Sequence, residues 1–170
     1  MSPKTLDFQT MKEQAFAQMK AAKQCVLATA DGNTVTARLV GTVVLHDKLY
    51  LFTGSTSRKI KQITANPKVA MVTNNLQIEG TARLCGHPSE PQNQDYLAAL
   101  KESMEDLPPE IADVYLGLCA DPNVPYVVVE VTPTRLQTYY LPPEVHLDVI
   151  DLTAGTARRY DAADSDWDYE

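Results

Sequence analysis

The sequence predicts a mainly β fold, in which a closed or nearly closed antiparallel barrel carries helices inserted at its corners. Three observations favour this class. Many short strand-like runs follow one another in hairpin order, and an Asp31-Gly32 pair between two of them is typical of a hairpin turn. Helical patterns are confined to a few insertions, which disfavours alternating β-α-β units. The sequence contains neither GxGxxG nor GxxxxGK[ST], so the usual nucleotide-phosphate loops are missing.

Length and composition indicate a single soluble domain. The 170 residues are 44% hydrophobic and 22% charged, and we expect one domain over residues 1–170 with an acidic tail at about 161–170. The net charge of −7 disfavours a nucleic-acid binder, because phosphate neutralisation needs an excess of Lys and Arg. There is no apolar run long enough for a membrane span and no signal-peptide core, so we expect a cytoplasmic protein. The scattered cysteines and histidines predict buried thiols and no local metal site.

The first elements predict an antiparallel meander behind a helix. Residues 6–22 carry apolar side chains at helical spacing. Residues 24–30 and 34–45 predict two strands on either side of the Asp31-Gly32 turn, and residues 49–54 predict a third.

A short helix and two strands follow. The helix is predicted from Ser57 to Asn66 and ends there because a residue that precedes proline is disfavoured in the α region. Strands are predicted at 68–73 and 76–86, and Gly80 within the second indicates a bulge or a close backbone approach.

The C-terminal half predicts two helices and the rest of the sheet. The helices are expected at 94–104 and 109–119, and a long strand with a bend at Pro133 is expected at 125–140. A hairpin formed by residues 145–152 and 156–160 closes the fold.

The start of the Ser57–Asn66 helix is the first candidate site. Helix N-termini favour anions, so the cations Arg58 and Lys59 in the first turn oppose the helix dipole. Their presence is explained if they face a phosphate, with Ser57 at the N-cap. From the pattern alone, a plain solvated turn is the slightly favoured explanation.

Arg38 is the second candidate. It stands in a strand of small and apolar residues, and alternation places it on one face with Thr36, Val40 and Thr42. A cation on a half-buried strand needs a partner, and an anionic ligand supplies one. Solvent or a carboxylate of the protein is the alternative.

The remaining polar motifs give weaker indications. Asn74-Asn75 between two strands is typical of a turn, although an amide there could bind the polar edge of a planar ring. The serines have no GxSxG context, so nothing supports a hydrolase triad. Catalytic residues stay unassigned.

The order of these motifs resembles the FMN-binding split β-barrel family of pyridoxamine 5′-phosphate oxidase and its relatives. The resemblance rests on ARLVG, LYLFTG, an SRK turn that opens a helix ending in NP, and LQIEGTARL. It covers roughly residues 20–86, continues more weakly to about 140, and is most specific in the T-x(3)-SRK-x(6)-NP spacing from Thr53 to Pro67. It implies a split antiparallel β-barrel that binds FMN, with the flavin at the interface of a homodimer.

The resemblance also implies a set of flavin contacts. The residues concerned are Arg38, Leu39, Val40, Gly41, Phe52, Thr53, Ser57, Arg58, Lys59 and Asn75. Arg58 and Lys59 would bind the phosphate with help from Ser57, and the Arg38 strand would line the flavin. Asn75 stands where relatives place a ring-contacting amide.

The chain departs from true pyridoxamine phosphate oxidases at its end, where DSDWDYE replaces an arginine-rich segment with an RLxP ending. We therefore expect an FMN-dependent oxidoreductase that acts on an unidentified small molecule and not on a vitamin B6 phosphate. NAD(P)H is a candidate electron donor. The alternatives are a module that binds, stores or senses FMN without turnover, and the same fold with F420 or haem.

Overall fold

The computed structural model describes residues 3–161, and within them the chain forms a mainly antiparallel sheet with helices at its corners. This confirms the predicted fold class. The strands are β1 Lys4–Leu6, β2 Gln24–Asp31, β3 Thr34–Gly41, β4 Val43–Leu45, β5 Lys48–Gly54, β6 Lys68–Thr73, β7 Leu76–Leu84, β8 Tyr126–Tyr140, β9 His146–Asp151 and β10 Thr156–Asp161. The helices are α1 Phe8–Ala22, α2 Arg58–Ala65, α3 Gln94–Ser103 and α4 Pro109–Ala120, with a 3₁₀ turn at Pro91–Asn93.

The long strand β8 is where the sheet divides. The main path runs β1-β10-β9-β8-β7-β6-β2-β3, and β5 joins β8 from outside this path. Residues 126–131 of β8 pair with β5, whereas residues 135–140 pair with β9. The change of partner falls around Pro133, which cannot donate a ladder hydrogen bond. The predicted bend at this proline therefore coincides with the split of the sheet.

Gly80 marks a bulge, as the sequence predicts. The register between β7 and β8 shifts between Glu79 and Gly80. A Cβ atom at Gly80 would lie 2.7 Å from the carbonyl oxygen of Thr132 and 3.1 Å from the side chain of Val131. Only glycine fits this close approach of two backbones.

Side chains of β8 alternate between two hydrophobic clusters. Val127, Val129 and Val131 pack into the barrel core, which also holds α1 and α2. Val128 faces the other side and packs under α3 and α4 with Tyr96. The helices α3 and α4 form an outer layer against the β4–β5 hairpin, and β8 is therefore buried on both faces.

Near the N-terminus one predicted helix boundary was wrong and one strand was not predicted. The first helix begins at Phe8 and not at residue 6, because the Asp7 carboxylate caps it by accepting from the N–H of Thr10 at 2.8 Å. The preceding residues, Lys4–Leu6, form β1 against β10. A strand of three residues whose partner lies about 150 positions away along the chain leaves no periodicity to detect.

The predicted strand 34–45 is two strands. Thr42 breaks it, since its N–H turns to the carbonyl of Lys23 at 2.9 Å. As a result β3 pairs with β2, while β4 pairs with β5. The break opens the sheet beside Gly41, which lines the cleft described below.

Three further sequence predictions concern cysteines, tail and membrane. Cys25, Cys85 and Cys119 are all free thiols, of which Cys85 is only half-buried. The predicted acidic tail lies outside the described residues from 162 onward. Among residues 3–161, the structure has no helix with the length and apolar character to cross a bilayer.

Glu130 on β8 is the centre of a polar network on the outer face. Its carboxylate is 6% exposed and accepts from the Tyr50 hydroxyl at 2.8 Å and from two guanidinium nitrogens of Arg83 at 3.1 and 3.2 Å. Lys48 adds an ion pair at 3.1 Å. Burial by itself raises the pKa of Glu130, but the bonds from Arg83, Tyr50 and Lys48 outweigh it and lower the pKa to about 2.

Glu130→Gln is expected to lower the free energy of unfolding by about 1–3 kcal/mol at neutral pH, because it removes the charged acceptor of this network. A carboxylate with a lowered folded pKa stabilises the protein above its unfolded pKa of about 4.3 and loses this contribution as the pH falls toward the folded value. The variant should therefore lose stability less steeply than the wild type between about pH 4.5 and pH 2. Urea unfolding across this pH range measures both effects, with the exposed Glu102→Gln as the matched control. Equal acid sensitivity of Glu130→Gln and wild type would contradict the assignment.

Candidate functional site

The N-terminus of α2 presents an unsatisfied polar group. Ser57 is the N-cap residue in extended conformation, and its carbonyl accepts from the N–H groups of Ile60 and Lys61. Its hydroxyl oxygen is buried, makes no cap hydrogen bond and has no other partner among residues 3–161. Since a buried hydroxyl without a partner is costly, this geometry favours a ligand atom at the helix N-terminus.

The two cations of the first turn, Arg58 and Lys59, lie in different environments. Lys59 folds back over the end of β5, and its Nζ donates to Thr53 Oγ1 at 2.8 Å. Arg58 is exposed and makes no hydrogen bond or ion pair in the part of the chain that the structure describes. The sequence pattern left a solvated turn as an alternative, and Arg58 alone fits it. Lys59 does not, since it is half-buried.

Arg38 on β3 is held by neutral acceptors. Its guanidinium donates to the carbonyl of Leu27 at 3.2 Å, to Thr29 Oγ1 at 2.6 Å and to Gln62 Oε1 at 3.2 Å, and it also bonds Thr36 Oγ1. Gln62 is buried and accepts from both threonine hydroxyls at 2.7 Å. The network fixes Arg38 against α2 while leaving its charge unneutralised.

Arg38, Arg58 and Lys59 therefore form one basic cluster. Burial lowers the pKa of Arg38, and the charge of Arg58 lowers it further. Burial likewise lowers the pKa of Lys59, with an added contribution from Arg38. Within residues 3–161, none of the three forms an ion pair with a carboxylate. A group of cations without carboxylate partners beside a helix N-terminus favours the binding of an anion.

A cleft of about 790 Å³ begins at Thr53, the residue that binds Lys59. The barrel side of the cleft is formed by Gly41–Val43 and by Phe52–Gly54. The opposite side is formed by α3 and α4. This volume lies within the range of about 300–1,000 Å³ that is typical of small-molecule sites.

The structure brings most of the predicted site residues together. Arg38, Ser57, Arg58 and Lys59 meet at the start of α2, and Gly41, Phe52 and Thr53 line the adjoining cleft. Leu39 and Val40 alternate, so that Leu39 is 64% exposed on the outer face and Val40 packs on the core.

Asn75 lies apart from the other predicted residues in this chain. The Asn74-Asn75 pair forms the β6–β7 turn, as its composition predicts. The Asn75 amide donates to the carbonyl of Tyr139 and accepts from Gln18, each at 3.0 Å. It neither lines the cleft nor bonds to the basic cluster, and its proposed contact with a flavin ring stays a prediction.

Sequence reasoning missed the residues that complete the site. Gln62 was overlooked, although a polar residue between the buried Ile60 and Ile63 of α2 indicates a specific role. Tyr96 and Tyr115 were also missed, because they reach the cleft from helices inserted far along the chain. No local pattern connects those helices to the barrel.

Comparison with known proteins identifies the family. The family model described as pyridoxamine 5′-phosphate oxidase matches residues 11–140. The chain belongs to this family. The match includes β2 to β8 and both sides of the cleft, and it confirms the resemblance inferred from the SRK and NP motifs. No curated protein sequence matches the chain.

Solved structures share the split-barrel fold of the pyridoxamine 5′-phosphate oxidase family with this chain. A pyridoxamine 5′-phosphate oxidase-related, FMN-binding protein from Nostoc punctiforme has 16% identity and a TM-score of 0.61. The alignment covers 95% of this chain and 98% of the other. General Stress Protein 26 from Bacillus anthracis has 20% identity and a TM-score of 0.57, covering 84% and 98%. The haem storage protein HutZ from Vibrio cholerae has 10% identity and a TM-score of 0.51, covering 75% and 91%. At these identities the likeness concerns the fold alone.

The residues present fit FMN. The phosphate of FMN would supply the anion that the basic cluster lacks and the partner that the buried Ser57 hydroxyl lacks. The cleft that starts at Thr53 would receive the rest of the molecule.

Proposed function

We propose that this protein binds FMN with its phosphate at the N-terminus of α2 and acts as an FMN-dependent oxidoreductase on a small molecule. The observation that carries the proposal is the buried, unpartnered Ser57 hydroxyl beside three cations that have no carboxylate partner among residues 3–161. Arg58 would bind the phosphate as a fork and Lys59 as a point charge. Ser57 and the first N–H groups of α2 would complete the seat.

FMN supplies hydride or electron transfer chemistry when it is bound. The protein would bind and orient the FMN and shield it from solvent. Lys59 connects the start of α2 to Thr53 in the cleft lining by a hydrogen bond. Among residues 3–161, β3 pairs only with β2, so its other edge is open. Gly41, Thr42 and Val43 line the cleft beside this edge and would contact the ring of a bound flavin. No side-chain acid or base is required for the half-reaction, so the absence of a catalytic motif does not count against this function. We propose NAD(P)H as the electron donor.

We also propose that the working form is a homodimer. The outer face of β2, β3 and β6 carries an apolar row in which Val26 is the cross-strand neighbour of both Leu39 and Val72. These side chains are 40%, 64% and 42% exposed in the single chain. Alanines occupy the next row, with Ala28 paired to Ala37 and Ala70. A flat apolar surface of this kind favours burial against a second copy.

Haem is the second candidate ligand, because HutZ shares the fold. The positions of the histidines disfavour it. His46 lies in the β4–β5 turn, His87 bonds Ser89 and the carbonyl of Val124, and His146 is buried against Tyr140. No histidine lines the cleft, so an imidazole ligand to haem iron is missing there. F420 would need an extended basic groove, whereas the one lysine of the cleft lining pairs with Asp106.

Absorbance of the purified protein separates these ligands. We expect a yellow protein with the spectrum of oxidised flavin, which NADH or NADPH bleaches under anaerobic conditions. Dithionite is the control that shows the bound flavin to be reducible. Flavin that dithionite reduces but neither pyridine nucleotide bleaches would identify a storage or sensor module. A Soret band, or a colourless protein that fails to bind added FMN, would contradict the proposal.

A further inference from the structure

The half of the cleft under α3 and α4 differs from the phosphate seat in its charge. Lys23 and Asp106 are the charged residues of the cleft lining, and their Nζ and Oδ2 atoms pair at 2.8 Å. Both side chains are exposed, at 46% and 88%, so they stand at the rim. The rest of the lining is mainly apolar and aromatic and includes Leu100, Met104 and the 45% exposed Ile111. This half therefore offers no free charge to a ligand.

The aromatic residues of the cleft favour a planar ligand. Phe52 packs edge-to-face against Tyr115 and Tyr126, with ring centroids 6.2 and 5.4 Å apart. Both tyrosines and Phe52 line the cleft. Rings held at nearly right angles to one another present both faces and edges to a molecule between them, and flat apolar molecules pack well on such surfaces.

Tyr96 supplies a polar group that has no hydrogen-bond partner among residues 3–161. It lines the cleft from α3 and is 2% exposed, with its ring 5.9 Å from that of Tyr50. Its hydroxyl makes no hydrogen bond within residues 3–161, and burial raises the pKa of Tyr96, so that it stays a neutral donor. Because the hydroxyl oxygen is not fully enclosed by the protein, it is accessible to a ligand in the cleft and can hydrogen-bond to one there.

We propose that this half of the cleft is the substrate pocket and that it takes an uncharged, planar, largely apolar molecule whose one polar group hydrogen-bonds to Tyr96. The proposal rests on the proposed function, because FMN at the basic cluster leaves this half for a second molecule. It extends that function by naming the substrate class. Phosphorylated substrates are disfavoured, since the free cations lie at the α2 end and would already hold the cofactor phosphate.

Titration of the FMN-loaded protein with three probes tests the substrate class. The probes are 1-naphthol, naphthalene and 1-naphthyl phosphate, and calorimetry measures their affinities. We expect 1-naphthol to bind and 1-naphthyl phosphate to bind at least about tenfold more weakly, because an unpaired charge is costly in an apolar cleft. Tyr96→Phe should weaken 1-naphthol about 3- to 10-fold, the value of one neutral hydrogen bond, and leave naphthalene unchanged.

Tyr160→Phe on β10, outside the cleft, is the matched control and should change neither affinity. Unchanged naphthalene binding shows that the Tyr96→Phe pocket is intact. Absence of 1-naphthol binding, equal binding of the phosphate, equal 1-naphthol affinity in Tyr96→Phe and wild type, or displacement of FMN by 1-naphthol would each overturn the proposal. A protein that binds FMN but not 1-naphthol contradicts the substrate class alone, whereas one that fails to bind FMN contradicts the proposed function.

Discussion

Replacing Arg58 and Lys59 together by alanine is expected to weaken FMN binding about 100-fold or more while changing riboflavin binding little. Each charge-assisted hydrogen bond to a phosphate is worth about 1.5–3 kcal/mol, and a tenfold change in affinity corresponds to about 1.4 kcal/mol. Riboflavin has the same ring and ribityl chain but no phosphate, so it does not use these two side chains. Quenching of flavin fluorescence gives both dissociation constants on the same preparations.

Lys61→Ala is the matched control for this experiment. Lys61 is an exposed cation two residues beyond Lys59 on the same helix, and its backbone N–H already donates to Ser57. Its loss changes the net charge of the protein without touching the proposed seat, so FMN affinity should change less than about threefold, as expected for a screened surface charge. Equal losses for FMN and riboflavin in the double variant would mean that the two cations do not bind the phosphate.

Gly80→Ala is expected to lower the free energy of unfolding by about 1–3 kcal/mol, the usual range for overpacking, because the added methyl group would press on the β8 backbone. The new Cβ would lie 2.7 Å from the Thr132 carbonyl oxygen, a distance that a main-chain atom cannot relieve by a rotamer change. The strands β7 and β8 would have to move apart at the bulge between Glu79 and Gly80. Urea denaturation with a fitted m-value measures the loss.

Gly117→Ala is expected to raise the free energy of unfolding, because there is space for the added methyl group. Gly117 lies on the exposed side of α4, and a Cβ there would meet nothing within 4 Å. Alanine within a helix is favoured over glycine by about 0.5–1 kcal/mol, so this variant should be more stable than the wild type. If Gly80→Ala proved as stable as the wild type, the close approach of the two backbones would be disproved.

Local sequence patterns carried much of the fold. The Asp31-Gly32 turn, the Asn66-Pro67 helix end and the Gly80 bulge each depend on backbone preferences of a few neighbouring residues, and each is confirmed. The two outer helices were predicted within one residue at each end, since their apolar spacing is strong. Features that depend on contacts distant in sequence were not predictable. The break at Thr42 is an example, because it is set by a hydrogen bond to Lys23.

The same division applies to the candidate site. Arg38, Ser57, Arg58 and Lys59 were recognisable because cations in the first turn of a helix and on a half-buried strand oppose ordinary stability. The cleft was not predictable, since its far side is built by α3 and α4, whose packing on β4 and β5 no spacing rule describes. Local preferences thus located the basic cluster, and only the tertiary structure showed the apolar space beside it.

A crystal structure of the protein soaked with FMN tests the central claim most directly. We expect the phosphate within hydrogen-bond distance of Ser57 Oγ and in contact with Arg58 and Lys59, with the ring in the cleft along Gly41–Val43. A phosphate bound elsewhere, with the Ser57 hydroxyl and the three cations still unpartnered, would contradict the account.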